Sequence, residues 1–185
     1  MRDKNNRVCP VERAGSLDIK IRRWVQDPWK ILHPYIREGM TVLDFGCGPG
    51  YFSIDIAQMV GKSGRVIAAD LQEGMLDKLK EKIRGKELEE LITLHLCKND
   101  NIGLSDRVDF ALAFYVVHEI SNQEEFFKEL FSILKPGGKM LVVEPPFHVS
   151  KRAFGNTCDK ARNAGFKIEQ GPRLLLNKTA LLKKA

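Results

Sequence analysis

The chain has 185 residues, 43% of them apolar and 29% charged, enough to bury an ordinary core as one domain. No run of eighteen apolar residues occurs, which excludes a membrane-spanning helix of the usual kind. The charged opening Met1-Arg-Asp-Lys-Asn-Asn-Arg7 lacks the apolar stretch of an export signal, so a cytoplasmic location is expected. The net charge of +6 is unevenly placed, with +4 over residues 1–40, −5 over 41–146 and +7 over 147–185. Basic flanks could attract an acidic substrate, a nucleic acid or a membrane surface. The cations are scattered without aromatic interleaving, however, and a solvated surface is the plainer reading. Cysteines 9, 47, 97 and 158 show no Cys-x-x-Cys spacing, which favours free thiols over a metal site or disulfide.

Met1–Gly15 has little periodicity. Ser16 can cap a helix through Trp24, with Leu17, Ile21 and Trp24 on one face. Asp27-Pro28 offers a cap and a first-turn proline for a helix over Pro28–Arg37. Val42–Phe45 reads as a buried parallel strand ending beside an acid, Asp44. Gly46, Gly48 and Gly50 follow, the residue type for sharp turns and for close approach of a ligand to the backbone. Tyr51–Val60 then reads as a helix with Phe52, Ile56 and Val60 on one face. Strand, glycine turn and helix together place free backbone N–H groups where the polar part of a cofactor can meet them. A second strand, Gly64–Asp70, ends in a carboxylate able to accept both hydroxyls of a ribose.

A Gly-x-Gly turn alone is weak evidence, since many α/β proteins use it for phosphate. Here Tyr51 stands where a dinucleotide fingerprint has its third glycine, and Asp44 would repel a pyrophosphate. A nicotinamide-dependent oxidoreductase is disfavoured, and a cationic or zwitterionic ligand is favoured.

Gln72–Arg84 reads as a helix with Met75, Leu76, Leu79 and Ile83 inward and Gly85 stopping it. Ile92–Cys97 is a third strand and Val108–Ala113 a fourth. Phe114-Tyr-Val-Val-His-Glu119 leaves the fourth strand where open α/β sheets place ligands. Ser121-Asn-Gln-Glu124 is a capping box for a helix to Leu134. Pro136-Gly-Gly138 ends that helix and turns into a fifth strand, Lys139–Glu144, which exits through Pro145-Pro146. Glu144 and His148 could line a pocket. Ser150 can cap a helix through Ala164, and Phe166–Glu169 and Lys178–Lys183 read as two final strands.

The residues from about Gly39 to the end resemble the class I S-adenosylmethionine-dependent methyltransferases. Val42–Ser53 looks like the family's first motif and Asp70 like its ribose-binding acid. Leu134-Lys-Pro-Gly-Gly-Lys-Met-Leu-Val-Val-Glu-Pro145 looks like its late loop and strand. The resemblance implies a Rossmann-like α/β fold: a seven-stranded, mostly parallel sheet, helices on both faces, and a C-terminal antiparallel hairpin. It implies one domain, with residues 1–38 a segment whose helices cover the cofactor and 39–185 the methyltransferase core. Arg22, Arg23 and Trp24 are then candidates to reach the pocket, although a surface pair with a core tryptophan is the plainer assignment.

For the cofactor S-adenosyl-L-methionine the resemblance implies contacts from Asp44, Gly46, Cys47, Gly48, Gly50 and Asp70. Leu71 and Met75 would enclose the adenine and Phe114 would flank the methionine end. Lys98 and Asn99 match the adenine-binding positions by place, yet Lys cannot accept from an amine, which leaves Asp100, Asn101 or the backbone for that role. His118 and Tyr115 are the catalytic candidates. His118 could serve as a base or be held structurally beside Glu119, and the structural role with an already nucleophilic acceptor is preferred. The Asn/Asp-Pro-Pro-aromatic motif of many RNA-modifying relatives is absent, the position reading Ala113-Phe-Tyr-Val116. That leans toward a small-molecule acceptor of the quinone-biosynthesis type, with RNA, protein or a non-catalytic binding module as the alternatives. Little chain remains for a substrate cap, so the N-terminal helices or a second copy in a homodimer would complete the pocket.

Overall fold

One seven-stranded sheet organises the computed structural model, which describes residues 23, 25–98 and 101–185. The strands are β1 (Thr41–Phe45), β2 (Arg65–Asp70), β3 (Ile92–Leu96), β4 (Val108–Phe114), β5 (Leu134–Glu144), β6 (Lys167–Gln170) and β7 (Lys178–Lys183). They lie in the order β3-β2-β1-β4-β5-β7-β6. Strands β1 to β5 pair in parallel, and β7 runs antiparallel to both of its neighbours. The expected architecture, including the closing hairpin, is the one observed. From β1 the chain builds outward through β2 and β3, then crosses to β4 and β5 on the other side. The switch point therefore lies between β1 and β4, where diverging connections open a crevice at the strands' carboxyl ends.

Alternation along the central strands divides the core in two. Leu43, Phe45, Ile67 and Ala69 pack on one face with Phe126, Phe127 and Leu130. Val42, Val66, Ala68 and Leu112 pack on the other with Ile31, Leu32, Ile56 and Leu79. The helices packed on the two faces are α1 (Pro28–Leu32), α2 (Ser53–Val60), α3 (Glu73–Ile83), α4 (Leu88–Leu91), α5 (Gln123–Ile133) and α6 (Lys151–Asn163). Both sheet faces are thus covered, which is why the strands read as near-continuous apolar runs.

Some boundaries differ from expectation for physical reasons. Asp27 caps α1 as predicted, its carboxylate accepting from Trp29 N–H at 3.0 Å, but the helix stops at Leu32 rather than Arg37. Pro34 has no N–H to donate to the carbonyl of Lys30, and its ring crowds the preceding turn. The cap of α5 is Asn122, one residue past the predicted Ser121, with Asn122 Oδ1 accepting from Glu125 N–H at 3.2 Å. Strand β5 begins at Leu134 rather than Lys139: Leu134 pairs with Val108, and Lys139 resumes the ladder at Phe110 after the Pro136–Gly138 excursion. The four-residue α4 is too short to show a period in sequence.

The proposed Ser16–Trp24 helix lies almost wholly outside the described residues, as do Cys9, Arg22 and Trp24. Among the described residues no helix is long and apolar enough to cross a membrane. Cys47, Cys97 and Cys158 are buried free thiols.

Candidate functional site

At the end of β1, Asp44 is 2% exposed and accepts from Ser53 Oγ at 2.6 Å, tying the strand end to the first residue of α2. Residues 46–52 must reverse the chain between these two anchors. Gly46, Gly48 and Gly50 do so with φ of +72°, +53° and +81°, a left-handed backbone that a Cβ strains. Their surroundings differ. A Cβ on Gly46 would lie 2.6 Å from Val116 Cγ2, and one on Gly50 would lie 2.2 Å from Leu79 Cδ1. A Cβ on Gly48 would meet nothing within 4 Å. Gly46 and Gly50 therefore allow close packing, whereas Gly48 borders the open space that a ligand could use.

Asp70, at the end of β2, is 7% exposed. Its Oδ2 accepts from Gly48 N–H at 2.8 Å and its Oδ1 from Gln72 N–H at 2.9 Å. Each oxygen keeps a second lone pair, so the carboxylate can hold the glycine turn and still accept from ribose hydroxyls. Burial raises the Asp70 carboxyl pKa, and the N–H groups of Gln72, Gly48 and Leu71 oppose that shift. Leu71 follows at 44% exposure and Met75 is buried at 4%. Leu96, the register partner of Asp70 on β3, is also 44% exposed, an apolar strand end that the sequence did not single out.

The field in this corner is negative. Burial pushes the Cys47 thiol pKa up strongly, and the charges of Asp44 and Asp70 push it further. Two carboxylates that oppose a thiolate also oppose a pyrophosphate and favour a cation. The residues thus fit a sulfonium and amino-acid ligand better than a dinucleotide. Beyond β3, Lys98 is exposed and pairs with Asn101 in an isolated bridge. Asn101 Oδ1 accepts from Gly103 N–H at 3.0 Å. Asn99 and Asp100 lie outside the described residues.

On the other side of the switch point, Phe114 stacks obliquely between Phe52 and Tyr115, with ring centroids 4.5 Å away in each case. Tyr115 has φ +64°, a strained value for a side-chain-bearing residue, while its N–H donates to Val143 O at 2.8 Å. Its hydroxyl accepts from Gln26 Nε2 at 2.8 Å and donates to Asn177 Oδ1 at 2.7 Å. Tyr51 Oη also donates to Gln26 O at 2.9 Å, and Arg23 pairs with Asp55 of α2 at 2.5 Å. Two tyrosines of the site and one acid of α2 thus bind the chain around Gln26. Gln26 and Asn177 carry no local signal, because each acts only through a residue far away in sequence.

His118 sits on a single 3-10 turn, Val117–Glu119. Its partner is Glu144 at the end of β5, not the adjacent Glu119 that the sequence suggested. Glu144 is 1% exposed and accepts from His118 N–H at 3.0 Å and from Nδ1 at 2.6 Å. The hydrogen bond that His118 donates to Glu144 raises its pKa above the ordinary 6.5, burial opposes this, and the charges of Glu144 and Glu119 add to the rise. The His148 ring lies 6.5 Å from that of His118. A buried carboxylate that fixes one ring nitrogen leaves Nε2 as the atom able to exchange a proton.

A doubly wound sheet with a glycine turn, a ribose-type acid and aromatic walls at its switch point defines a Rossmann-like ligand-binding domain. Residues 36–178 match the model of the methyltransferase-domain family, and the chain belongs to that family. This bears out the resemblance read from the motifs, with S-adenosyl-L-methionine as the cofactor. The chain is 32% identical to a demethylmenaquinone methyltransferase from Lactobacillus johnsonii, over 59% of its own length and 45% of the relative's. It is 27% identical to one from Oceanobacillus iheyensis over 77% of its length and 56% of the relative's. The chain thus spans about half the length of the curated relatives it matches. In fold it superposes on an S-adenosylmethionine-dependent methyltransferase from Aquifex aeolicus with a TM-score of 0.82. That match has 24% identity and covers 95% of this chain and 98% of the other.

Proposed function

We propose that this protein transfers a methyl group from S-adenosyl-L-methionine to a small-molecule acceptor carrying a weakly acidic hydroxyl, of the phenol or quinol kind. The observation that carries the reading is the glycine turn braced by Asp70, with Gly48 left facing open space, in a chain of the methyltransferase family. The relatives named as acting on demethylmenaquinone support the acceptor class. When bound, the cofactor supplies an activated methyl group on a sulfonium sulfur.

The chain's part is to bind, align and exclude water. Asp70 accepts from the ribose, and the backbone at Gly46–Gly50 approaches the methionine portion. Asp44 and Asp70 supply the negative field that favours a cation. Leu71, Met75 and Leu96 border the adenine, with Lys98 beside it. Phe114 flanks the methionine end and Tyr115 shapes the acceptor wall. In place of the structural role preferred from the sequence, His118 Nε2 takes the acceptor's hydroxyl proton while Glu144, through Nδ1, orients the ring and stabilises the imidazolium. Gln26 and Arg23 tie the described residues ahead of β1 to the rim of the cofactor site, and the work is done in the cytoplasm.

Methyl transfer to a hydroquinone panel, measured from pH 5.5 to 9, tests this. Turnover should rise with pH through a limb above 6.5, the histidine's ordinary value. His118→Asn should lose that limb and about 10²–10⁴-fold in rate while still binding the cofactor. A loss within about tenfold would make His118 structural.

A further inference from the structure

Two loops beside the site expose large apolar side chains. Phe147, after β5, is 88% exposed, and Leu175 and Leu176, before β7, are 74% and 70% exposed. A single exposed leucine is ordinary, but these loops are neighbours. Lys178 Nζ donates to Pro146 O at 3.2 Å, and Lys178 pairs with Glu144 across the β5–β7 ladder. Leu176 also holds φ +57°, a left-handed conformation that disfavours a leucine. Strain that presents an apolar side chain to solvent suggests something outside the chain to receive it.

Charge identifies the kind of partner. Residues 147–185 carry nine Lys and Arg against two Asp and Glu. Lys151 and Arg152 follow Phe147, and Arg173 precedes the leucines; all three are exposed, and none makes an ion pair with a described residue. A nucleic acid would neutralise these cations but leave the leucines in water. Apolar loop tips beside uncompensated cations fit the boundary between acyl chains and anionic headgroups.

We propose that the Phe147 and Leu175–Leu176 loops dock the protein on an anionic membrane surface. The docked loops adjoin the site, since Asn177 accepts from Tyr115 Oη at 2.7 Å and the His148 ring lies 6.5 Å from that of His118. A membrane-dissolved acceptor could then enter without crossing bulk water. That consequence rests on the proposed methyl transfer; the docking itself does not.

Co-sedimentation of the full chain with phosphatidylcholine vesicles, with and without phosphatidylglycerol, tests the docking without any activity readout. Binding is expected to the anionic vesicles and to weaken as salt rises. The triple variant F147S/L175S/L176N should bind at least about tenfold more weakly. The asparagine suits the left-handed position, so the thermal transition should be retained. The charge-reversal variant K151E/R152E should lose binding while keeping the apolar tips. Failure of the wild type to pellet with anionic vesicles, equal pelleting with neutral ones, or unchanged binding by either variant would overturn the proposal. So would loss of self-association by the triple variant in a wild type that binds no vesicles, which would make the patch a contact between copies of this chain.

Discussion

Removing the Asp70 carboxylate would act on the chain and on the ligand together, because its oxygens hold Gly48 N–H and Gln72 N–H and the proposed ribose contact adds to them. Charge-assisted bonds to a ligand contribute roughly 1.5–3 kcal/mol each, so Asp70→Ala should weaken cofactor binding on the order of a hundredfold. The two freed N–H groups should also lower stability by about 1–3 kcal/mol, which a denaturant titration would register. Unchanged affinity would place the ribose elsewhere. His118 makes a second prediction, this time about pH. Its folded pKa is raised above 6.5, chiefly by the hydrogen bond to Glu144. The pair's stabilisation is therefore fully present below the unfolded value and fades as pH rises through the higher folded one. Wild type and His118→Asn should differ in melting temperature more at about pH 6 than at about pH 9. A gap that widens with pH would contradict the pairing.

Between the ends of β1 and α2, three glycines with similar backbones should respond differently to the same substitution. Gly46→Ala drives a Cβ to 2.8 Å from Val116 Cβ, an atom that no rotamer can move away. It should destabilise the protein by several kcal/mol. Gly48→Ala meets no atom within 4 Å and carries only the left-handed strain of roughly 1–2 kcal/mol. Its methyl group would instead stand in the ligand's space, so cofactor affinity should fall more than stability does. Parallel thermal melts and cofactor titrations of the two variants would check the separation; the reverse ordering would mean that the open side of the turn had been misread. The turn was legible in the sequence because glycine spacing after an apolar run is a local signal. The partition of roles among the glycines was not, because Val116 and Leu79 arrive from distant elements. The end of α1 was readable and was misread, since Pro34 stands in plain view within the expected Pro28–Arg37 helix.

Across the whole molecule, short apolar runs and helical spacing marked the strands and helices, and the family resemblance implied how they assemble into the sheet and its closing hairpin. The contacts that complete the site were harder to see. Tyr115 meets Gln26 and Asn177, and His118 meets Glu144, over separations of 89, 62 and 26 residues, so sequence neighbours such as Glu119 stood in for the true partner. The charge pattern, by contrast, was visible from the start but lacked direction. Only the folded chain sets the basic C-terminal segment beside exposed Phe147, Leu175 and Leu176 at the carboxyl edge of the sheet.

The crevice between β1 and β4 is expected to hold S-adenosylmethionine and not a dinucleotide. Titration calorimetry of the purified chain with S-adenosyl-L-methionine, its demethylated product and NAD tests this most directly. Saturable binding of the first two, weakened in Asp70→Ala, with no heat from NAD, is the predicted result. Tight NAD binding with none for S-adenosylmethionine would overturn the assignment of that crevice.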